Sequence, residues 1–117
     1  MNANFNIKND NLVRVGGHKK FNPSIIVLME ADINYTKVHL NSGKVIYVAT
    51  NLKKLEERLA TNVSFFRSHR SFIINLNHVI NTCGEDTIQL ANNKTVLVAR
   101  RRKEALVQKL ACLKMAV

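Results

Sequence analysis

Acidic side chains are scarce in this chain of 117 residues: eight Asp and Glu stand against eighteen Lys and Arg, giving a formal net charge of +10. The resulting surface potential attracts polyanions, nucleic acid first and anionic membrane second. Cysteine is scarce too. Cys83 and Cys112 each sit alone in apolar-flanked sequence, without the paired spacing of a zinc site or the density of a disulfide scaffold, and read as free thiols in a reducing compartment. No apolar run approaches the ~20 residues of a membrane span, and Met1 to Asn6 lacks a charged-then-apolar leader, so a cytoplasmic protein is expected. There is no G-x-G-x-x-G and no P-loop, and no cofactor is expected. His39, His69 and His78 lack the i,i+4 spacing of a helical zinc motif. Ser68-His69 and Ser71 have no orienting carboxylate nearby, which argues against a nucleophilic enzyme and, with the lack of an acid/base pair, against catalysis altogether.

What is present is enough for one compact domain with one core, at 46% hydrophobic residues. Residues 1–23, with Gly16-Gly17, Lys19-Lys20 and Pro23, the only proline, read as an N-terminal arm or short strand, and 24–117 as the domain proper. Ile25 to Met29 reads as a buried strand. Thr36 to Leu40 alternates, with Val38 and Leu40 expected inward and Lys37 and His39 outward, and an Asn41-Ser42-Gly43 turn folds Lys44 to Val48 back as a hairpin partner. Thr50 or Asn51 can cap a short helix whose Leu52, Leu55 and Leu59 share one face. Strand patterns return at Phe72 to Leu76, Val79-Ile80, Thr87 to Leu90 and Thr95 to Val98. A terminal helix from about Arg102 to Leu113 repeats Leu106, Leu110 and Leu113 at helical spacing. The expected fold class is therefore mostly β, with antiparallel strands and two short helices.

Three polar clusters stand out. In Phe65-Phe66-Arg67-Ser68-His69-Arg70-Ser71-Phe72 a donor-rich tip without a carboxylate sits between apolar stems, which suits phosphate; a plain solvated turn is the structural alternative. The second, Arg100-Arg101-Arg102-Lys103, places four cations at a helix N-terminus, where stability alone favours Asp or Glu by ~0.3–1 kcal/mol per charge. An anion docking there would satisfy the free N–H groups, the dipole and the arginines together, whereas a basic solubilising face is the alternative. The third is Asp32-Ile33-Asn34-Tyr35-Thr36-Lys37, whose polar groups could read base edges while Tyr35 packs on a backbone or methyl group; taken alone, a plain structural turn is the simpler reading.

From about Ile25 to Leu110 these pieces resemble the LytTR-type DNA-binding domain of bacterial transcription (response) regulators. The resemblance rests on Glu30 with Asn34-Tyr35-Thr36, on Asn51-Leu52-Lys53-Lys54-Leu55-Glu56 with Leu59, on the segment Phe65 to Leu76, and on the strand leading into Arg100-Arg101. It implies an elongated fold of several small antiparallel sheets in which loops, rather than a recognition helix, enter the major groove at direct-repeat sites, one domain per repeat. By motif position, Tyr35, Thr36, Arg70 and Arg101 become groove-facing candidates; Lys37 and Lys103, from the third and second clusters, are further cationic candidates. Arg67, His69, Asn75, Arg100 and Arg102 become phosphate or loop-ordering partners. Many relatives carry Ser where this chain has Ala99. The receiver domain that usually precedes the module is not among these residues, so either regulation comes from elsewhere, as in a standalone regulator or one controlled in trans by a sensor or receiver protein, or the sequence is part of a longer protein.

The leading expectation is thus a non-enzymatic, sequence-specific duplex DNA-binding regulator, with a second copy on the neighbouring repeat. An RNA or single-strand binder is the alternative, though Phe65, Phe66 and Phe72 look buried and leave only Tyr35 and Tyr47 for stacking. A basic module docking an acidic protein or membrane surface is the remaining one.

Overall fold

A computed structural model describes residues 12–82 and 86–115. Its strands are β1 (Val13–Gly16), β2 (Lys19–Phe21), β3 (Ile26–Asp32), β4 (Tyr35–Leu40) and β5 (Val45–Val48), then β6 (Phe65–His69), β7 (Phe72–Asn75), β8 (Val79–Asn81), β9 (Thr87–Leu90) and β10 (Thr95–Leu97). Helix α1 (Leu52–Arg58) lies between β5 and β6, and α2 (Lys103–Met115) follows β10. Cys83 lies outside the described residues, while Cys112 is exposed and free. Among the described residues no helix is long and apolar enough to cross a membrane.

Every strand pairing is antiparallel, in a two-stranded sheet, a three-stranded sheet of order β10-β9-β8, and a five-stranded sheet of order β5-β4-β3-β7-β6. The large sheet is apolar on both faces. A register shift between Ile26 and Leu28 puts Ile26 and Met29 in one core with Val15, Val38, Leu52, Leu55, Phe65 and Ile73. Val27 and Leu28 join the other, with Phe66, Ile74, Leu90, Val96 and Leu106. One layer is thus closed by α1 and the β1–β2 hairpin, the other by the small sheet and α2.

Double-sided cover corrects one expectation. His39 does face away from Val38, yet it is only 7% exposed. Its Nε2 lies 3.0 Å from Glu30 Oε1, and Lys94 from the small sheet reaches the same oxygen at 3.6 Å. Burial lowers the His39 pKa below its ordinary value, and the Glu30 hydrogen bond opposes the shift.

Local chemistry sets the connections. Asn51 caps α1 by accepting from the Lys54 N–H at 2.8 Å, and Leu52 and Leu55 bury the inner face of the helix. Gly43, at φ +94°, makes the tight β4–β5 turn. Gly16 lets β1 approach β5 so closely that a Cβ there would sit 2.8 Å from the Val48 Cβ. The hairpin is further held by Arg58, whose Nη1 donates to the Arg14 carbonyl at 2.9 Å.

Strand direction decides where the loops go. In the observed registers, the β3–β4 turn, the β6–β7 turn and the end of β5 all lie at the same end of the large sheet. The Ala31 N–H, donating to the Ser71 carbonyl at 2.9 Å, ties the first two turns together.

Candidate nucleic-acid interface

At that end the two basic clusters of the sequence, 30 residues apart, become neighbours. The chain leaving β10 runs beside β6, with the Ala99 N–H donating to the Ser68 carbonyl at 2.8 Å and Ser68 Oγ to the Leu97 carbonyl at 3.2 Å. Arg100–Arg102 then forms a 3₁₀ turn leading into α2. Arg102 lays its guanidinium 4.6 Å from the centre of the Phe66 ring and donates from Nε to the Arg67 carbonyl at 3.0 Å. The result is an open groove of about 500 Å³ lined by Arg67, His69, Arg70, Ala99, Arg101 and Arg102, with no carboxylate in its wall among the described residues.

Within the β6–β7 tip the residues divide the work. Arg67 braces it: Nε donates to the His69 carbonyl at 3.0 Å, Nη2 to the Arg70 carbonyl at 2.7 Å, and Nη1 to Glu56 Oε1 of α1 at 2.9 Å. His69 accepts the Ser71 N–H on Nδ1 at 3.1 Å, so its neutral form carries the proton on Nε2, where it remains available as a donor. Its ring packs at 5.8 Å against Phe72. Arg70, at the tip, is exposed; its backbone carbonyl is held by Arg67 and its guanidinium has no protein partner among the described residues. Ser68 reads in sequence as part of the polar tip, yet it is fully buried and belongs to the scaffold.

Ahead of α2, Arg100 and Arg101 are exposed, and Ala99 provides no side-chain cap to the turn. The Arg102 and Lys103 N–H groups bond within the turn, and the positive end of the helix beside three arginines gives a potential that can receive an anion. Lys103 is partly neutralised, its Nζ being 2.7 Å from Asp86 Oδ1. That hydrogen bond holds the Asp86 carboxyl below its usual pKa.

The third cluster forms the β3–β4 turn. Tyr35 is 54% exposed. Lys37 lies 3.8 Å from Asp32 and 5.9 Å from the centre of the Tyr47 ring. Two residues expected at the interface turn inward instead. Thr36 is 1% exposed and donates from Oγ1 to the Thr50 carbonyl at 2.6 Å, fastening β4 to the end of β5. Asn75, also 1% exposed, donates to the carbonyls of Ile26 at 2.9 Å and Pro23 at 3.3 Å and accepts from the Asn77 N–H. Asn75 lies at the opposite end of the sheet from the basic groove, so it orders backbone there. Glu56 is a supporting residue that sequence reading passed over; its partner Arg67 is 11 positions away and no local pattern announces the pair.

With this geometry in hand, comparison with known proteins adds an independent line. Residues 17–111 match the LytTr DNA-binding domain family. Among solved structures, the chain is similar to the LytTr DNA-binding domain of a methyl-accepting/DNA response regulator from Bacillus cereus. The identity is 24%, with 86% of this chain and 94% of that chain covered at a TM-score of 0.63, so the likeness is one of fold. No curated protein matches the chain.

Proposed function

The chain belongs to the LytTr DNA-binding domain family, and from that premise we propose that it is a sequence-specific, cytoplasmic transcription regulator whose loops read the major groove of duplex DNA at direct-repeat sites. The family is one of DNA-binding domains rather than of enzymes. The observation that carries the reading is the convergence of Arg70 and Arg101 on one groove that holds no carboxylate among the described residues. Each can offer paired donors to guanine O6 and N7, the commonest specific contact in the major groove.

Around these two, Tyr35, Lys37, His69 and Arg100 supply groove or phosphate contacts, while Arg67, Arg102, Thr36 and Asn75 hold the loops in place. Lys103 contributes charge tempered by Asp86. The reading assigns residues 24–117 to the DNA-binding domain and residues 1–23 to an arm whose described part packs against it. A second copy would occupy the neighbouring repeat, and a sensor or receiver protein would act in trans.

With ~5 phosphate contacts, the log–log salt slope on duplex DNA should be about −4.5. The direct test is selection from a random duplex pool at near-physiological salt. Enrichment of a spaced direct repeat is the expected result; retention without enrichment would reduce the protein to a non-specific polyanion binder and overturn the proposal.

A further inference from the structure

A second basic groove, of about 680 Å³, lies at the same end of the large sheet, between the β1–β2 turn and the β5–α1 connection. Its wall includes His18, Lys19, Tyr47, Asn51 and Lys54 and, among the described residues, no carboxylate. His18, Lys19 and Lys54 are exposed and have no ion-pair partner among the described residues. Two glycines shape this groove. Gly16 seats the hairpin on Val48, and Gly17 turns it at φ +53°, so that His18 and Lys19 are carried to the β5 edge.

Strand spacing fixes what this groove can reach. In the order β5-β4-β3-β7-β6 the β3–β4 and β6–β7 turns are two strand spacings apart, about 10 Å. A major groove about 12 Å wide accommodates both tips. The end of β5 is three and a half spacings from the Arg70 turn, about 17 Å, so with the strand row set across that groove it would lie past the edge, over the sugar–phosphate backbone.

We infer that the groove of His18, Lys19 and Lys54 is a phosphodiester-backbone clamp that lengthens the DNA interface beyond the base-reading loops. This rests on the duplex-DNA reading above and adds contacts that carry affinity without sequence information. Lys19 and Lys54 supply the charge. Tyr47, 54% exposed on the same wall, offers its hydroxyl to a phosphate oxygen.

The test compares the wild-type protein with Lys19→Ala/Lys54→Ala on the selected site and on a random duplex of equal length, across a salt series, with phosphate-ethylation interference as a second readout. Losing two contacts should make the log–log slope shallower by about 1.8 and weaken binding roughly ten- to thirty-fold near 0.15 M salt, alike on both duplexes. The ratio of specific to random affinity should not move. Interference should lose a cluster of phosphates set apart from the guanines the loops protect. Lys44→Ala, a charge removed at the opposite end of the sheet, gives the effect of net charge alone and should change the slope far less per lysine. An unchanged slope, an unchanged interference pattern, or a loss per lysine equal to that of Lys44→Ala would overturn the clamp. Failure of the base-reading proposal would show separately, as a wild-type protein without preference for any site.

Discussion

Arg67→Met separates a brace from a phosphate contact. The substitution keeps a stem of similar length and removes the donors that reach the carbonyls of His69 and Arg70 and the Glu56 carboxylate. A hydrogen bond to a charged group contributes about 1.5–3 kcal/mol when fully desolvated. The Arg67 side chain is 22% exposed and the freed carbonyls can rehydrate in part, so about 1 kcal/mol for each carbonyl bond is appropriate. Glu56 is half exposed, and its ion pair adds about 0–1 kcal/mol. The sum, about 2–3 kcal/mol, corresponds to a fall in Tm of about 8–12 °C at ~4 °C per kcal/mol for a chain of this length. Thermal unfolding followed by circular dichroism measures it. Binding should fall more on the selected site than on random duplex, because the turn that aims Arg70 is loosened while most cationic charge remains. A Tm within about 1 °C of wild type, with equal losses on both duplexes and a salt slope shallower by about 0.9, would identify Arg67 as a phosphate contact and refute the bracing argument.

Other perturbations follow from the same geometry. Asp86→Asn releases Lys103 from its carboxylate and should tighten binding to all duplexes by a similar few-fold factor, read by fluorescence anisotropy; no change would mean that Lys103 does not face DNA. His39 has a folded-state pKa below its ordinary 6.5, so the unfolded chain takes up its proton first and stability is lost as pH falls through about 6.5. Urea unfolding between pH 8 and 5 should show this decline and His39→Gln should flatten it; equal slopes in both proteins would remove His39 as the cause. Ile33 is 96% exposed with φ +54°, a conformation costly for a β-branched residue and tolerated by Asn. Ile33→Asn should therefore stabilise by up to about 1 kcal/mol in chemical denaturation, and a loss would show that the turn is not strained there.

How much of this was legible in the sequence depended on how local the determining contacts are. The hairpin turn at Asn41-Ser42-Gly43, the Asn51 cap and the Leu52/Leu55/Leu59 face are set by neighbours a few residues apart, and these elements stand where the pattern puts them. The polar clusters at 67–71 and 100–103 were visible because charge between apolar stems is itself a local signal. Their junction was not, since it depends on Ala99 meeting Ser68 and Arg102 meeting Arg67, 35 positions away. Thr36 and Asn75 illustrate the same limit: a polar side chain in sequence does not say whether its partner is solvent, ligand or a distant carbonyl. Alternation puts His39 on the outer face, because it distinguishes two faces but not whether the second is covered. The β1–β2 hairpin was legible only in part: a short strand was expected within residues 1–23 and β1 stands there, but its pairing with β2 and its packing were not announced. With Arg14, Lys19 and Lys20 in so short a stretch the segment looks solvated, and only the close approach of Gly16 to Val48 and the burial of Val15 reveal its packing.

The central claim is that Arg70 and Arg101 read guanine from one groove, and the most direct measurement is the affinity of wild-type, Arg70→Ala and Arg101→Ala proteins for the selected site and for a random duplex at fixed salt. Each variant should lose about 1–3 kcal/mol on the selected site, much less on random duplex, with the preference relaxed at its own guanine position and Tm unchanged. Equal losses on both duplexes would contradict the claim and leave the two arginines as phosphate contacts alone.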